Sequence, residues 1–301
     1  MIILILGGAD DDHAVHMHHH LSTLGHDVEF LDSRDFPARI QISYDPQANL
    51  GHITLPSGRT IPTESIHSVY WRCYNAIPPI DLPDPEQAHI AHNDARSLFE
   101  SLLINLPCRW VNGWEGFQLH QTKGAALTRV ANDGLRVPFT LLTNDAESVR
   151  AFADAHPCCI FKPVQGGAHT RRLTAAHLSD ASLANLAYAP VTLQEEVAGT
   201  NIRVFVGGQQ VLACEVSSRE VDFRDDIAPH ISAHELPQPL IKQSLRIAEI
   251  LRLVWAGIDY RLSPEGDYYF LEANPSPMFL GFEQQTGLPL TQALAQVLTD
   301  E

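Results

Sequence analysis

Two apolar runs near the C-terminus, Ala256-Gly-Ile-Asp-Tyr260 and Phe270-Leu-Glu-Ala-Asn-Pro275, carry acidic and amide side chains inside otherwise strand-like sequence. The stretch Ser263-Pro-Glu-Gly-Asp267 between them has turn chemistry, so the pair reads as a β-hairpin. Side chains alternate along a strand, which places Glu272 and Asn274 on one face. Strand pairing can bring Asp259 onto the same face. Two carboxylates and one amide oxygen are hard donors, suited to a Mg²⁺ ion that also holds phosphate oxygens. Any one of the three is most simply a polar residue on a strand face open to water. The trio, followed by an Asn-Pro exit, points to a metal site.

A chain of 301 residues with 45% hydrophobic content can bury a large core and divides into two or three lobes. The apolar runs are shorter than the ~18 residues of a membrane span. The opening Met1-Ile-Ile-Leu-Ile-Leu-Gly-Gly8 has no basic region before it and reads as a first buried strand, not a signal peptide. Five cysteines without C-x-x-C spacing argue for a reducing, cytoplasmic setting rather than a disulfide framework. A formal net charge of −16 has the wrong sign for a nucleic-acid binder. Neither nucleic acid nor membrane is an expected partner.

The order of elements is α/β. Residues 2–7, a helix near 13–24 and a strand at 28–31 form a β-α-β opening. A small hairpin is predicted within 44–61, a strand at 68–72, a helix over 86–105 and a short strand at Trp110–Asn112. A single helix is predicted over 119–133, then a helix over 144–156 with Asn144 as its N-cap and Glu147 at the third position. Strands follow at 158–162, 191–197, 201–206 and 210–216, then a helix over 239–254, the acidic hairpin and a terminal helix near 289–299. The first helix holds His13, His16, His18, His19 and His20. His16 and His20 share a helical face and could hold a transition metal. The simpler readings are a solvent-facing helix or a contact with another lobe. Gly7-Gly8 lacks the G-x-G-x-x-G pattern, so a dinucleotide site is a weak reading.

Lysine is scarce: Lys123, Lys162 and Lys242 are the only three. Lys123 sits in Gln121-Thr-Lys-Gly124 at a helix start, and Lys162 in Ile160-Phe-Lys-Pro163 at a strand end. Gln165-Gly-Gly-Ala-His-Thr170 follows, where Gly166 and Gly167 allow backbone N–H groups to approach phosphate oxygens. With the acidic hairpin, these parts resemble the ATP-grasp superfamily, and within it the RimK-like carboxylate–amine ligases, over about residues 119–298. The resemblance implies an α/β pre-grasp domain (1–118), a central ATP-grasp lobe (119–195) and a C-terminal lobe with the metal site (196–301), the last two clasping ATP.

It further implies roles for particular residues. Lys123 and Lys162 match the family's two ATP-contacting lysines, and Gly166 and Gly167 its phosphate-covering loop. Gln194-Glu-Glu-Val197 resembles the adenine-reading segment, with Glu195 the aligned acid and Val197 the aligned backbone contact; Glu196 could face solvent. Asn201-Ile-Arg203 resembles the family's Asp-Ile-Arg strand, with Asn201 departing from the usual Asp. Arg203 and, in Asp222-Phe-Arg224, Arg224 would then hold the phosphoryl group or the activated carboxylate. The alternative reading of each is a structural ion pair. Asp259, Glu272 and Asn274 fit the Mg²⁺ triad, and Arg72 is a candidate substrate contact.

The implied activity is ATP-dependent ligation: a carboxylate becomes an acyl phosphate and passes to an amine or hydroxyl of a peptide or amino acid. Local traits resemble the graspetide (microviridin-type) peptide-crosslinking ligases. They are Lys162-Pro-Val-Gln-Gly-Gly167 with Arg171-Arg172, Glu215-Val-Ser-Ser218 with Asp222-Phe-Arg224, and Thr286-Gly-Leu-Pro289. A small-molecule amino-acid ligase and a non-catalytic ATP-binding sensor are the competing readings. Relatives of this kind often assemble as homo-oligomers.

Overall fold

The computed structural model describes residues 1–218 and 229–300. The first lobe contains β1 (Ile2–Leu6), α1 (Asp12–Thr23), β2 (Asp27–Leu31), β3 (Gln41–Asp45), β4 (Leu50–Thr54), β5 (Thr60–Pro62), β6 (Ile66–Trp71), α2 (Pro85–Asn105) and β7 (Arg109–Val111). A parallel sheet runs in the order β2-β1-β6-β7. Both of its faces are covered, which explains the unbroken apolar run in β1. Leu4 and Leu6 pack toward Phe99 and Leu102 of α2, whereas Ile3 and Ile5 pack toward Met17 and Leu21 of α1. The predicted small hairpin is a three-stranded antiparallel sheet, β3-β4-β5, because Thr60–Pro62 adds a third strand beside β4.

The middle of the chain holds α3 (Trp114–Gln121), α4 (Lys123–Asn132), β8 (Thr140–Thr143), α5 (Ala146–Ala155), β9 (Cys159–Pro163), β10 (Arg171–Arg172), α6 (Asp180–Leu183) and β11 (Val191–Glu195). The single helix predicted over 119–133 is two helices. Thr122 breaks it with φ −111° and ψ 65°, and its hydroxyl donates back to the Gln118 carbonyl at 2.9 Å. Lys123 therefore opens α4. The N-cap of α5 is Asp145 rather than Asn144: the Asp145 carboxylate accepts from the Ser148 N–H at 2.9 Å and the Glu147 N–H at 3.4 Å. The strands form an antiparallel sheet, β10-β9-β11-β8, over a small core of Val149, Leu183 and Leu193.

The last part contains β12 (Thr200–Gly207), β13 (Gln210–Ser217), β14 (His230–Ala233), α7 (Gln238–Ile250), β15 (Trp255–Leu262), β16 (Tyr268–Asn274), α8 (Leu280–Thr286) and α9 (Leu290–Thr299). Its antiparallel sheet runs β14-β13-β12-β15-β16. On one face Ile202, Val204, Ile258 and Tyr260 pack against α7 and against Val130 of α4. Helix α7 is shorter than predicted; it gives way to a turn in which Arg252 has φ 58°. On the other face Phe205 and Trp255 join Phe279 and Phe282.

That second core continues into the first lobe. Leu290, Leu294 and Leu298 of α9 lie in the same cluster as Ile3, Ile5 and Met17. The last carbonyls of α9, which have no partner within the helix, are capped from the first sheet: Ser68 Oγ donates to Leu298 O at 2.7 Å and Arg109 Nη1 to Val297 O at 3.0 Å. The histidine helix belongs to this junction. His13 is 6% exposed with its ring 4.9 Å from Phe279, and burial holds its imidazole down at about 4. His16 Nε2 lies 2.9 Å from Thr291 Oγ1, and His18 stacks on Phe30. His13 and His16 are thus lobe contacts, and no group of three or more His, Cys, Asp or Glu able to hold a metal occurs among the described residues.

Asn112, just beyond β7, completes the junction. It is fully buried and uses both ends of its amide. Nδ2 donates to the carbonyls of Trp255 and Pro275, each at 2.6 Å, and Oδ1 accepts from the N–H groups of Val254 at 2.7 Å and Trp255 at 3.1 Å. Asn112→Ala would leave the buried Trp255 and Pro275 main-chain groups without these partners and should lower stability by about 3 kcal/mol or more. Urea unfolding followed by circular dichroism checks this; a wild-type midpoint in the variant would contradict it.

Candidate active site

The site begins with a register. Strands β15 and β16 pair so that Asp259 stands directly opposite Glu272, with a bulge after Asp259. Like charges facing each other across a strand pair are destabilising unless cations offset them. Two cations do. Arg203, opposite Asp259 on β12, forks onto it with Nε–Oδ1 at 2.5 Å and Nη2–Oδ2 at 2.9 Å. Lys123, at the start of α4, donates from Nζ to Glu272 Oε2 at 2.6 Å. The result is a row: arginine, aspartate, glutamate, lysine.

The ends of the row differ in access. Arg203 and Asp259 side chains are 12% and 18% exposed, Lys123 and Glu272 24% and 36%. Burial raises the Asp259 carboxyl above its usual range, against the opposing charge of Arg203. Burial also pushes Glu272 upward, but the Lys123 charge and hydrogen bond, helped by Lys162 and His120, more than offset it and hold Glu272 below the usual range. His120, at the end of α3, places Nδ1 3.1 Å from the Ala273 carbonyl; burial and the nearby Lys123 lower its imidazole.

Asn274 follows Glu272 by two positions. Its Oδ1 accepts the Ser276 N–H at 2.9 Å, a turn typical of an Asn side chain. An amide oxygen has a second lone pair, so the contact leaves one acceptor site. Two carboxylates and this oxygen form a donor set that fits Mg²⁺. Gly257, paired with Asn274, lets the surroundings close in: a Cβ there would lie 2.6 Å from Pro277 Cβ and 3.0 Å from Arg203 Nη1.

The neighbouring sheet supplies the other predicted residues. Lys162 Nζ on β9 donates to Gln194 Oε1 on β11 at 3.2 Å, and the buried Gln194 donates from Nε2 to Thr140 Oγ1 at 2.9 Å. Gly166 and Gly167 have φ 125° and 91°, a region that favours glycine. Their loop lies over the α3–α4 junction: Gln165 Nε2 bonds Gln121 Oε1, and a Cβ on Gly166 would lie 3.7 Å from Lys123 Nζ. Glu195 is engaged with Phe139, accepting its N–H at 3.1 Å while the Glu195 N–H donates to the Phe139 carbonyl at 2.9 Å. Glu196 does not simply face solvent; Arg172 forks onto it at 2.7 to 3.0 Å. The Val197 carbonyl accepts from Arg261 Nε at 2.9 Å, and Arg261 also reaches Asn201 Oδ1 at 2.9 Å.

The structure thus brings Lys123, Arg203, Asp259, Glu272 and Asn274 together, with Lys162 close enough for its charge to act on Glu272. Arg72 contacts Asp11 and Ser276. Asp222 and Arg224 lie outside the described residues. His120, Ser276 and Gly257 escaped the sequence reading. Only Ser276 had a local signal, its place two residues after an Asn in Asn-Pro-Ser-Pro277. Gly257→Ala should cost about 1–3 kcal/mol by forcing Pro277 and Arg203 aside. Gly281→Ala, at a helical position with nothing within 4 Å, should not. Paired urea titrations test this, and equal midpoints for the two variants would contradict it.

Known proteins share this fold. The RimK-like ATP-grasp domain matches residues 122–298. The ATP-grasp ligase PsnB, solved with a phosphomimetic variant of its minimal precursor, Mg and ADP, is 30% identical with a TM-score of 0.85; the match covers 98% of this chain and 97% of PsnB. Two further structures share the fold at 21% identity. One is the macrocyclase MdnC of Microcystis aeruginosa MRC bound to precursor peptide MdnA, with a TM-score of 0.86 over 100% of both chains. The other is a RiPP-associated ATP-grasp ligase of Chryseobacterium gregarium with ADP and a leader and core peptide, with a TM-score of 0.84 over 99% of this chain and 96% of that one. No curated protein sequence matches. On the domain match and the near-complete likeness to PsnB, the chain belongs to the RimK-like ATP-grasp family of ligases.

Proposed function

We propose that the chain joins a carboxylate of a peptide to an amine or hydroxyl of a peptide, using ATP and Mg²⁺. The observation that carries this reading is the row of Arg203, Asp259, Glu272 and Lys123, with Asn274 beside it. Oxygen donors flanked by cations suit a metal-bound polyphosphate better than a covalent nucleophile. Peptide as the substrate class is supported by PsnB, MdnC and the Chryseobacterium ligase, each solved with a precursor or leader and core peptide. Among the described residues no helix is long and apolar enough to cross a membrane.

In this reading the nucleotide lies between the β10-β9-β11-β8 sheet and the five-stranded sheet. Lys123 and Lys162 offset the charge of its phosphates, and the Gly166–Gly167 backbone covers them. Glu195, Gln194 and Val197 belong to the segment beside the adenine. Asp259, Glu272 and Asn274 would hold Mg²⁺, which supplies charge neutralisation at the phosphate oxygens when bound. The peptide carboxylate oxygen attacks the γ-phosphorus and the bond to ADP breaks, giving an acyl phosphate. The amine or hydroxyl then attacks the acyl carbon, loses its proton and expels phosphate. Arg203 stays beside the transferred group throughout, and by family resemblance Arg224 would hold the activated carboxylate or its phosphate. The protein contributes positioning and charge, with no covalent enzyme intermediate.

Incubation with ATP, Mg²⁺ and candidate precursor peptides, read by ADP release and mass spectrometry, tests the proposal. The expected product is the peptide lighter by one water for each molecule of ADP released. Glu272→Ala should lower the rate on the order of 100-fold or more with the fold intact. Tight ATP binding with no ADP release under any condition would overturn it in favour of a nucleotide sensor. Release with free amino acids alone would move the substrate to small molecules.

A further inference from the structure

Arg72 follows directly on β6 in the first lobe, yet its guanidinium serves the segment just after the last strand of the chain. Nε donates to Asp11 Oδ1 at 2.8 Å, and Nη1 donates to both the carbonyl and the hydroxyl oxygen of Ser276 at 2.9 Å. Ser276 returns the contact, its hydroxyl donating to the Arg72 carbonyl at 2.8 Å. The Ser276 N–H then donates to Asn274 Oδ1 at 2.9 Å. Asp11 is itself fixed as the N-cap of α1, accepting the Ala14 N–H at 2.8 Å. One hydrogen-bonded path therefore runs from the start of α1 to the Asn274 amide. The Arg72 side chain is 11% exposed, so little water competes for it.

The path decides which end of an amide faces the site. An Asn side chain can turn about its last torsion and exchange its oxygen for its NH₂ group. Only the oxygen can bind a cation. The Ser276 N–H selects the oxygen for its side of Asn274, and Arg72 holds Ser276 from both its carbonyl and its hydroxyl. We propose that Arg72 is a positioning residue that, through Ser276, aims the Asn274 amide oxygen at the cation held by Asp259 and Glu272. The assignment rests on the metal reading given above and replaces a substrate-contact role for Arg72. The first lobe thereby sets metal affinity without touching the metal.

The test is Mn²⁺ binding to the full chain with ADP present, followed by the electron paramagnetic resonance signal of free Mn²⁺. Arg72→Gln should weaken Mn²⁺ about 10-fold, the scale of lost support behind a ligand, and leave ADP affinity without metal unchanged. Ser276→Ala, which removes only the hydroxyl, should weaken Mn²⁺ in the same direction and keeps the test intact if Arg72→Gln fails to fold. In turnover, the Mg²⁺ requirement should rise while the KM for peptide stays the same. Unchanged Mn²⁺ affinity in both variants, or a raised peptide KM with unchanged Mn²⁺ affinity, would overturn the proposal. Asn274→Ala separates the two readings: wild-type Mn²⁺ affinity in that variant would refute the metal assignment itself, and the positioning role with it.

Discussion

Two carboxylates facing each other across one strand pair set the terms for the rest of this molecule. The β15–β16 register leaves Asp259 and Glu272 no room to avoid one another, and repulsion between them must be offset by positive charge. Arg203 arrives from β12, the strand on the other side of β15, and Lys123 from the first residue of α4. The break at Thr122 has a clear use in this light: it ends α3 and starts a new helix with Lys123 beside Glu272. A chain with only three lysines spends one of them here.

The hairpin needs a foundation as well as counter-charges. Helix α9 and the Phe279 region bury their apolar side chains in a core shared with the first sheet. Asn112 pins the start of β15 and the Pro275 carbonyl, while Arg72 pins Ser276. Both clamps come from residues directly after parallel strands of the first lobe, at the strand ends nearest the hairpin. The two ends of the donor-bearing hairpin are therefore fixed by a part of the protein that donates no ligand. A polar clamp suits the task because its directionality fixes orientation, which apolar contact does not.

Much of this was legible in the sequence where the signal was local. The hairpin, the alternation that puts Glu272 and Asn274 on one face and the parallel β-α-β opening each depend on spacing within a few residues. Local reading failed where two neighbours competed. Asn144 and Asp145 are both good caps, and the backbone chose Asp145. The helix break at Thr122 has no Pro to announce it, and Gly124 lies inside the second helix. Long-range partners were illegible altogether: nothing near Asn112 shows that it serves residues more than 140 positions away. Arg72 was legible only as a candidate substrate contact; its hydrogen-bond partners lie 61 and 204 positions distant. The same holds for the histidine helix, whose packing against Phe279 and Thr291 turns a metal-like spacing into a lobe contact.

The central claim is that the facing carboxylates form a metal site for a bound nucleotide. Calorimetric titration of ADP with and without Mg²⁺, in wild type and in Asp259→Asn, tests it most directly. The account predicts that Mg²⁺ tightens ADP binding to the wild type and that this gain is lost in the variant, with metal-free ADP affinity retained. An equal gain from Mg²⁺ in both proteins would contradict it.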